Sequence, residues 1–426
     1  MLLKKIKERT CSIGIVGLGY VGLPLALRFF EEGFTVFGFD IDKRKIDALC
    51  KGESYINHIP HEAIAKTVGS KNISFISDPT FFSLIDIIIL CVPTPLTRNK
   101  EPDLKPILSA MDTLYPYFRE DQLIILESTV YPGTTDEILK PILESKSGLT
   151  VGSSIFLAFS PEREDPGNQK FNTKNTPKVV GGCTPSCLNL ANELYEAVID
   201  TVICVNTAKI AEMTKILENT YRLVNISFIN EMKMVCEKMG MDIFEVIEAA
   251  SSKPFGFTPF YPSGGVGGHC LPLDPFYFRF KAREFNVPTR FIELAGEVNN
   301  AMPEYVVSRI MEALNTHALP LKNSKILILG VAYKKNIDDP RESAAIEIVD
   351  LLAKKGASVR YCDPYIGQFE GMKSLELTED RVKSHDCVVI ITDHDDFDYK
   401  LVRRHAPLIV DTRGRYTPDG KSVFRA

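Results

Sequence analysis

The chain has no surplus of basic residues: 50 lysines and arginines stand against 55 acids, for a formal net charge of −5 over 426 residues. A nucleic-acid binder ordinarily carries a basic excess, so no nucleic-acid partner is expected. There is no long hydrophobic run either. The most apolar stretch, Phe81 to Val92, is broken by Asp86 and is too short for a bilayer span, which takes about 20 residues. The opening M-L-L-K-K-I-K-E-R-T has no apolar segment of signal-peptide length, so neither a leader nor membrane insertion is expected. The ten cysteines include no C-x-x-C pair; Cys183 and Cys187 in G-G-C-T-P-S-C come closest, with no histidine nearby. Zinc ligands are usually spaced differently, so no metal site is expected. Free thiols suit a reducing, cytoplasmic setting.

What is there is an ordinary globular mix, 45% hydrophobic and 25% charged, long enough for two or three domains. Near the start, the apolar β run S-I-G-I-V-G leads into Gly17-Leu18-Gly19-Tyr20-Val21-Gly22. A helical segment, P-L-A-L-R-F-F-E-E-G, follows, and then a second strand, T-V-F-G-F-D, that ends in Asp40. Strand, glycine turn, helix, strand and acid in this order form a dinucleotide-binding fingerprint. Gly17 allows the tight turn, Gly19 admits a pyrophosphate and Gly22 lets helix and strand pack. The helix start faces the phosphate charge, beside Tyr20 and Val21. Asp40 is expected to take the adenosine ribose hydroxyls, favouring NAD over NADP, although Lys43 and Arg44 nearby soften that choice.

The α/β rhythm continues through the first half. The buried strand D-I-I-I-L-C-V-P-T-P ends at a Pro-Thr-Pro loop, so Thr94 is a candidate cofactor contact at a strand's carboxyl end. Strand Q-L-I-I-L-E-S-T-V ends with Glu127, Ser128 and Thr129, and Thr134 or Thr135 in P-G-T-T is available to cap the next helix. Strand S-S-I-F-L-A-F runs into the acidic loop S-P-E-R-E-D-P-G, which holds Glu162 and Arg163. K-V-V-G-G reads as the last strand of this domain.

Residues 206–240 read as one helix, with Ile210, Met213, Leu217, Tyr221, Val224 and Phe228 at three- and four-residue steps. At ~1.5 Å per residue it is roughly 50 Å long and links two domains. Lys215 and Asn219 lie one turn apart on one face. Further on comes S-G-G-V-G-G-H-C-L-P-L-D-P, a glycine-rich loop carrying Cys270 and then Asp274. Its thiol is either reachable by a ligand or a small packed core residue. The βα rhythm restarts at K-I-L-I-L-G, without the second and third glycines of the first turn. The following loop offers Lys334, Lys335 and Arg341 to phosphates, or else forms a solvated charge run. Arg413 follows the last strand read, in P-L-I-V-D-T-R-G. The fold class expected is α/β: two Rossmann-like doubly wound parallel-sheet domains joined by a long central helix. The expected boundaries are 1–205 for NAD binding, 206–315 for a central helical domain with the cysteine loop, and 316–426 for a C-terminal Rossmann-like domain.

The motifs G-I-V-G-L-G-Y-V-G-L-P-L-A, V-P-T-P, E-S-T-V-x-P-G-T-T, S-P-E-R, K-x-x-E-N-T-Y-R, G-G-V-G-G-H-C-L-P-L-D-P and D-D-P-R-E-S occur in this order. Over nearly the whole chain it resembles the UDP-sugar 6-dehydrogenases. The resemblance implies a four-electron oxidation of a sugar C6 alcohol to a carboxylate with two NAD. It implies Cys270 as the nucleophile, through a thiohemiacetal and then a thioester. Lys215 would steady the developing oxyanion, and Asn219 a hydroxyl or water. Asp274 would act as base with a water, Glu162 as base or water-positioning group, and Thr129 would hold that water beside the cofactor. Arg163, Arg222, Phe260, Tyr261, Gly265, Gly267, Tyr333, Lys334 and Arg413 would contact the UDP-sugar, and Arg341 the cofactor or substrate phosphates. The C-terminal domain would bind the UDP-sugar, and the long helix would form a homodimer.

A Cys270–His269 dyad is not expected, because adjacent side chains in an extended loop point apart. H-C-L-P-L-D-P-F-Y, K-A-R-E and R-F-I-E-L-A-G-E-V-N resemble the branch acting on UDP-N-acetylhexosamines in bacterial surface-polysaccharide pathways. UDP-N-acetylglucosamine is the expected substrate, with the galactosamine and mannosamine analogues and UDP-glucose as alternatives. A two-electron hydroxyacid-type dehydrogenase would need no cysteine, and an NAD-binding redox sensor would show no turnover.

Overall fold

Strands made of isoleucine, leucine and valine without alternation are buried on both faces, which is the signature of a parallel sheet covered by helices. The computed structural model describes residues 1–56, 59–97, 101–165, 168, 170–268 and 271–426. They divide into two compact units: Met1–Glu218 with Phe276–Val287, and Asn219–Pro275 with Pro288–Ala426.

The first unit is built on β1 (Ser12–Val16), β2 (Thr35–Phe39), β3 (Ile73–Ile76), β4 (Ile87–Leu90), β5 (Gln122–Leu126), β6 (Ile155–Phe159), β7 (Lys178–Gly182) and β8 (Val202–Val205). They form one sheet in the order β3-β2-β1-β4-β5-β6-β7-β8. All neighbours are parallel except β6 and β7. Ile87 and Ile89 of β4 enter one core cluster, and Ile88 and Leu90 enter another. Each face of the sheet therefore has its own apolar layer, and the chain must cross over with helices on both sides. The reversal of strand order between β1 and β4 leaves a crevice at the carboxyl ends of those strands, where such sheets hold ligands.

The second unit carries β9 (Lys325–Leu329), β10 (Ser358–Cys362), the short hairpin of β11 (Gln368–Phe369) and β12 (Met372–Lys373), then β13 (Cys387–Ile390), β14 (Ile409–Asp411) and β15 (Val423–Arg425). Its main sheet runs β10-β9-β13-β14-β15 and is parallel throughout. Ile326 and Ile328 face one core, Leu327 and Leu329 the other. The doubly wound α/β class expected from the sequence is present in both units. The 31-residue helix Ala208–Lys238 runs across the division at Glu218 and Asn219.

Three sequence expectations are corrected. K-V-V-G-G is not the last strand of the first sheet, because β8 extends it. V-I-C-V is only half covered at this edge, so it lacks the buried apolar run that marks the others. β15, three residues at the edge of the second sheet, was hidden for the same reason. Neither Thr134 nor Thr135 caps a helix: Gly133 precedes a π-helical turn, Thr134–Leu139. Thr134 Oγ1 donates to Tyr131 O at 2.7 Å, and Thr135 Oγ1 donates to Glu212 at 2.7 Å.

Candidate functional site

The glycine turn after β1 separates what the protein needs for itself from what it offers to a ligand. Gly17 has φ +93°, and a Cβ there would lie 2.7 Å from the Cys91 carbonyl oxygen. A Cβ on Gly22 would lie 1.9 Å from the Gly17 carbonyl oxygen. These two glycines are required by close backbone packing. At Gly19 nothing lies within 4 Å of the added Cβ. The chain itself does not need a glycine there, but a pyrophosphate approaching the backbone does. The helix Gly22–Glu31 starts here, and no side chain caps it at Val21. The turn therefore fits a dinucleotide.

Asp40, at the end of β2, is buried. It accepts from the backbone of Leu18 and Asp42 and from Lys45 Nζ, each at 2.9 Å. A carboxylate has about four acceptor positions, so it braces the glycine turn and retains capacity for a ribose hydroxyl. Arg44 pairs with Asp42, at 2.9 Å between Nη2 and Oδ2. Sequence reasoning missed Lys45, and also Tyr55, whose hydroxyl donates to the Leu18 carbonyl. Tyr20 and Val21 are half-buried beside the turn.

Beyond β4, the Thr94 carbonyl accepts from the Tyr277 hydroxyl at 2.7 Å. Beyond β5, Thr129 is half-buried just ahead of a turn that Glu212 holds. Glu212 accepts from the backbone of Gly133 at 2.5 Å and Thr135 at 2.8 Å, and from the Thr135 hydroxyl. Burial pushes its carboxyl up to about 7 even against these donors. Sequence reasoning missed it; the signal was an acid just before Lys215 in the long helix. Lys215, only 6% exposed, faces Glu162 at 3.4 Å. Arg163 forks onto Glu218 at 2.6 and 3.2 Å and donates to Pro177 O at 2.7 Å.

In the second unit, Asn219 Nδ2 donates to Asp274 Oδ2 at 2.5 Å. Asp274 is 3% exposed. It is the first residue of the helix Asp274–Glu284 rather than part of the loop. Cys270 and His269 lie outside the described residues. The segment leading to them is clamped. Ser263 N donates to Asn230 Oδ1 at 2.9 Å, Lys233 Nζ donates to Ser263 O at 3.3 Å, and Val266 N donates to Asn299 at 2.5 Å. A Cβ on Gly267 would lie 2.4 Å from the Glu342 carbonyl, and one on Gly265 3.1 Å from Ala344. Gly268 packs under the Tyr333 ring, 2.8 Å from an added Cβ. The close approaches of these glycines are thus to the chain itself.

Tyr333 is the predicted sugar contact that lies against the glycine segment. Lys334 is half-buried. Arg341 pairs with Asp339, and Arg413 with Asp393 at 3.0 Å. Arg222 is exposed. Phe260 meets the Tyr221 ring at 5.6 Å, and Tyr261 stacks on Phe244 at 6.3 Å. The structure therefore brings together Lys215 with Glu162, Asn219 with Asp274, and Tyr333 with Gly267. Arg163, Arg341 and Arg413 are each held by a neighbouring carboxylate.

Three stretches match the UDP-glucose/GDP-mannose dehydrogenase family: residues 11–199 its NAD binding domain, 209–301 its central domain and 327–418 its UDP binding domain. A UDP-N-acetyl-D-glucosamine 6-dehydrogenase of Pseudomonas aeruginosa is 34% identical over 91% of each chain. A UDP-N-acetyl-D-mannosamine dehydrogenase of Methanococcus vannielii is 32% identical, over 92% of this chain and 88% of that one. The solved UDP-D-ManNAc dehydrogenase of Pyrococcus horikoshii superposes with a TM-score of 0.88 at 30% identity, covering 97% of this chain and 98% of that one.

Proposed function

The chain belongs to the UDP-glucose/GDP-mannose dehydrogenase family and is an NAD-dependent UDP-sugar dehydrogenase, and from that premise we propose that it oxidises the C6 alcohol of a UDP-N-acetylhexosamine to the uronic acid. NAD, when bound at the Gly17–Gly22 turn, supplies the hydride acceptor for each of two oxidations. The observation that carries the chemistry is the pairing of two successive turns of one helix with two carboxylates: Lys215 with Glu162, and Asn219 with Asp274.

Lys215 holds a positive charge where the substrate oxygen becomes anionic, and Glu162 takes the alcohol proton. Cys270 attacks the aldehyde carbon as thiolate. The resulting thiohemiacetal is oxidised to a thioester, which keeps the aldehyde from escaping. Asp274, oriented by Asn219, draws a proton from the water that hydrolyses the thioester, and Thr129 holds a water beside Glu162. Tyr333, Lys334 and Arg413 bind the nucleotide sugar.

UDP-N-acetylglucosamine is the preferred substrate on this reading. H-C-L-P-L-D-P-F-Y supports the N-acetylhexosamine class, and the P. aeruginosa relative is named for that sugar. UDP-N-acetylmannosamine is the second reading, supported by the M. vannielii and P. horikoshii relatives. The product would enter surface-polysaccharide synthesis in the cytoplasm; among the described residues no helix is long and apolar enough to cross a membrane. Leu217, Tyr221 and Phe228 are exposed on the long helix and supply an apolar face for a homodimer. A comparison of kcat/KM across UDP-glucose and the N-acetyl derivatives of UDP-glucosamine, UDP-galactosamine and UDP-mannosamine tests the reading. The N-acetylglucosamine derivative is expected to lead; preference for UDP-glucose would overturn the N-acetylhexosamine assignment.

A further inference from the structure

The oxidation proposed above releases protons as well as electrons. One R–CH2OH, two NAD+ and one water give R–COO−, two NADH and three H+. A group that accepts these protons must pass them on before the next turnover. Glu162 lines a cleft in the first unit together with Val21, Glu127, Glu164, Thr173 and Lys178. Three carboxylates thus share one cleft. Glu127 pairs with Lys178 at 3.0 Å, and Glu162 pairs with Lys215 at 3.4 Å. Arg163, also in the lining, is forked onto Glu218. Glu164 instead has the Thr173 hydroxyl as its side-chain partner, while its backbone N–H donates to the Glu162 carboxylate. Two neighbouring carboxylates, with no ion pair to Glu164 among the described residues, disfavour its charged form.

We propose that Glu164 is a proton relay that receives protons from Glu162 and delivers them to solvent through this cleft. The inference rests on the four-electron reading. Each transfer breaks one O–H bond on Glu162 and, by way of water entering the cleft, forms one on Glu164. That proton then leaves to bulk water, and no electrons move. Among the described residues, the charged and titratable groups around Glu164 are Glu162 and Arg163 on its own segment, Glu127 after β5, Lys178 on β7 and Cys91 after β4, while the Tyr195 hydroxyl donates to Glu127. Burial pushes Glu164 up to about 7, with Glu162 and Glu127 adding to the rise and Thr173 and Lys178 opposing it. A relay works best when its pKa is close to the working pH.

The test uses the full-length enzyme with whichever UDP-sugar the wild type oxidises. Glu164→Gln is expected to lower kcat at neutral pH by about tenfold, a modest share of a general-base effect. Both KM values should stay unchanged, and rising imidazole concentration should restore turnover. Thr173→Val removes a donor that favours the ionised form, so the acidic limb of its kcat–pH profile should move to higher pH. Unchanged turnover in Glu164→Gln, a loss that no buffer relieves, or an unmoved profile in Thr173→Val would overturn the relay. If the wild type makes one NADH per product, it is the four-electron reading that fails, which is seen before any variant is made.

Discussion

Lys233 is a buried amine that makes no ion pair among the described residues. Its ammonium has the Ser263 carbonyl at 3.3 Å and the Tyr305 ring centroid at 5.2 Å. Burial pulls it from 10.5 down to about 7, with Glu237 opposing and Arg413, Arg425 and Arg309 reinforcing the drop. An unfolded lysine keeps its proton up to its ordinary pKa, so between about 7 and 10.5 the unfolded state holds a proton that the folded state lacks. Stability must therefore rise with pH across that window. Urea unfolding of the wild type should show this rise, and Lys233→Met should lack it; parallel curves for the two proteins would show that the ammonium stays charged. At the chemical centre, Cys270→Ser should stop acid formation, and full acid production by that variant would remove the covalent route. Lys215→Ala should lower kcat by ~100-fold or more while NAD affinity changes little, because an oxyanion-stabilising charge acts in the transition state; equal losses in both would make it a cofactor ligand. At this scale the sequence marks which residues are expected to carry chemistry but not what surrounds them. Glu212, Lys233 and Glu164 are ordinary letters on a helix face or loop until folding removes their water.

Among the elements, the glycine turn after β1 was the most legible, because strand, turn, helix and acid each leave a local mark. It also yields a paired prediction. Gly22→Ala puts a methyl 1.9 Å from the Gly17 carbonyl, so the helix must shift and the melting temperature should fall by several degrees. Gly19→Ala meets nothing in the protein within 4 Å. It should leave the melting temperature within about a degree of wild type and weaken NAD binding at least ~10-fold. Thermal melts and NAD titration separate the two; a Gly19→Ala variant with wild-type NAD affinity would place the pyrophosphate elsewhere. The elements that escaped reading were short and at edges. β8 and β15 take their strand character from a neighbour's hydrogen bonds rather than from a buried run of their own. Thr134 and Thr135 were plausible caps, but the partners they found, the Tyr131 carbonyl and Glu212, belong to the turn before them and to a distant helix.

For the whole molecule, two separately covered sheets follow from near-continuous apolar strands, and that pattern survives in sequence without any contact information. The family assignment rests on motifs spread along the chain and agrees with matches to an NAD binding, a central and a UDP binding domain. The identity of the sugar is not carried in the same way, because relatives named for epimeric sugars share about a third of this sequence. An epimer differs in the direction of one hydroxyl or N-acetyl group, which a pocket reads through placement rather than through residue type. The central claim is the four-electron oxidation. The measurement that tests it most directly is the amount of NADH formed per uronic acid released when purified enzyme consumes UDP-N-acetylglucosamine to completion. Two NADH per acid, with no free aldehyde trapped, is the predicted result; one NADH per product would contradict it.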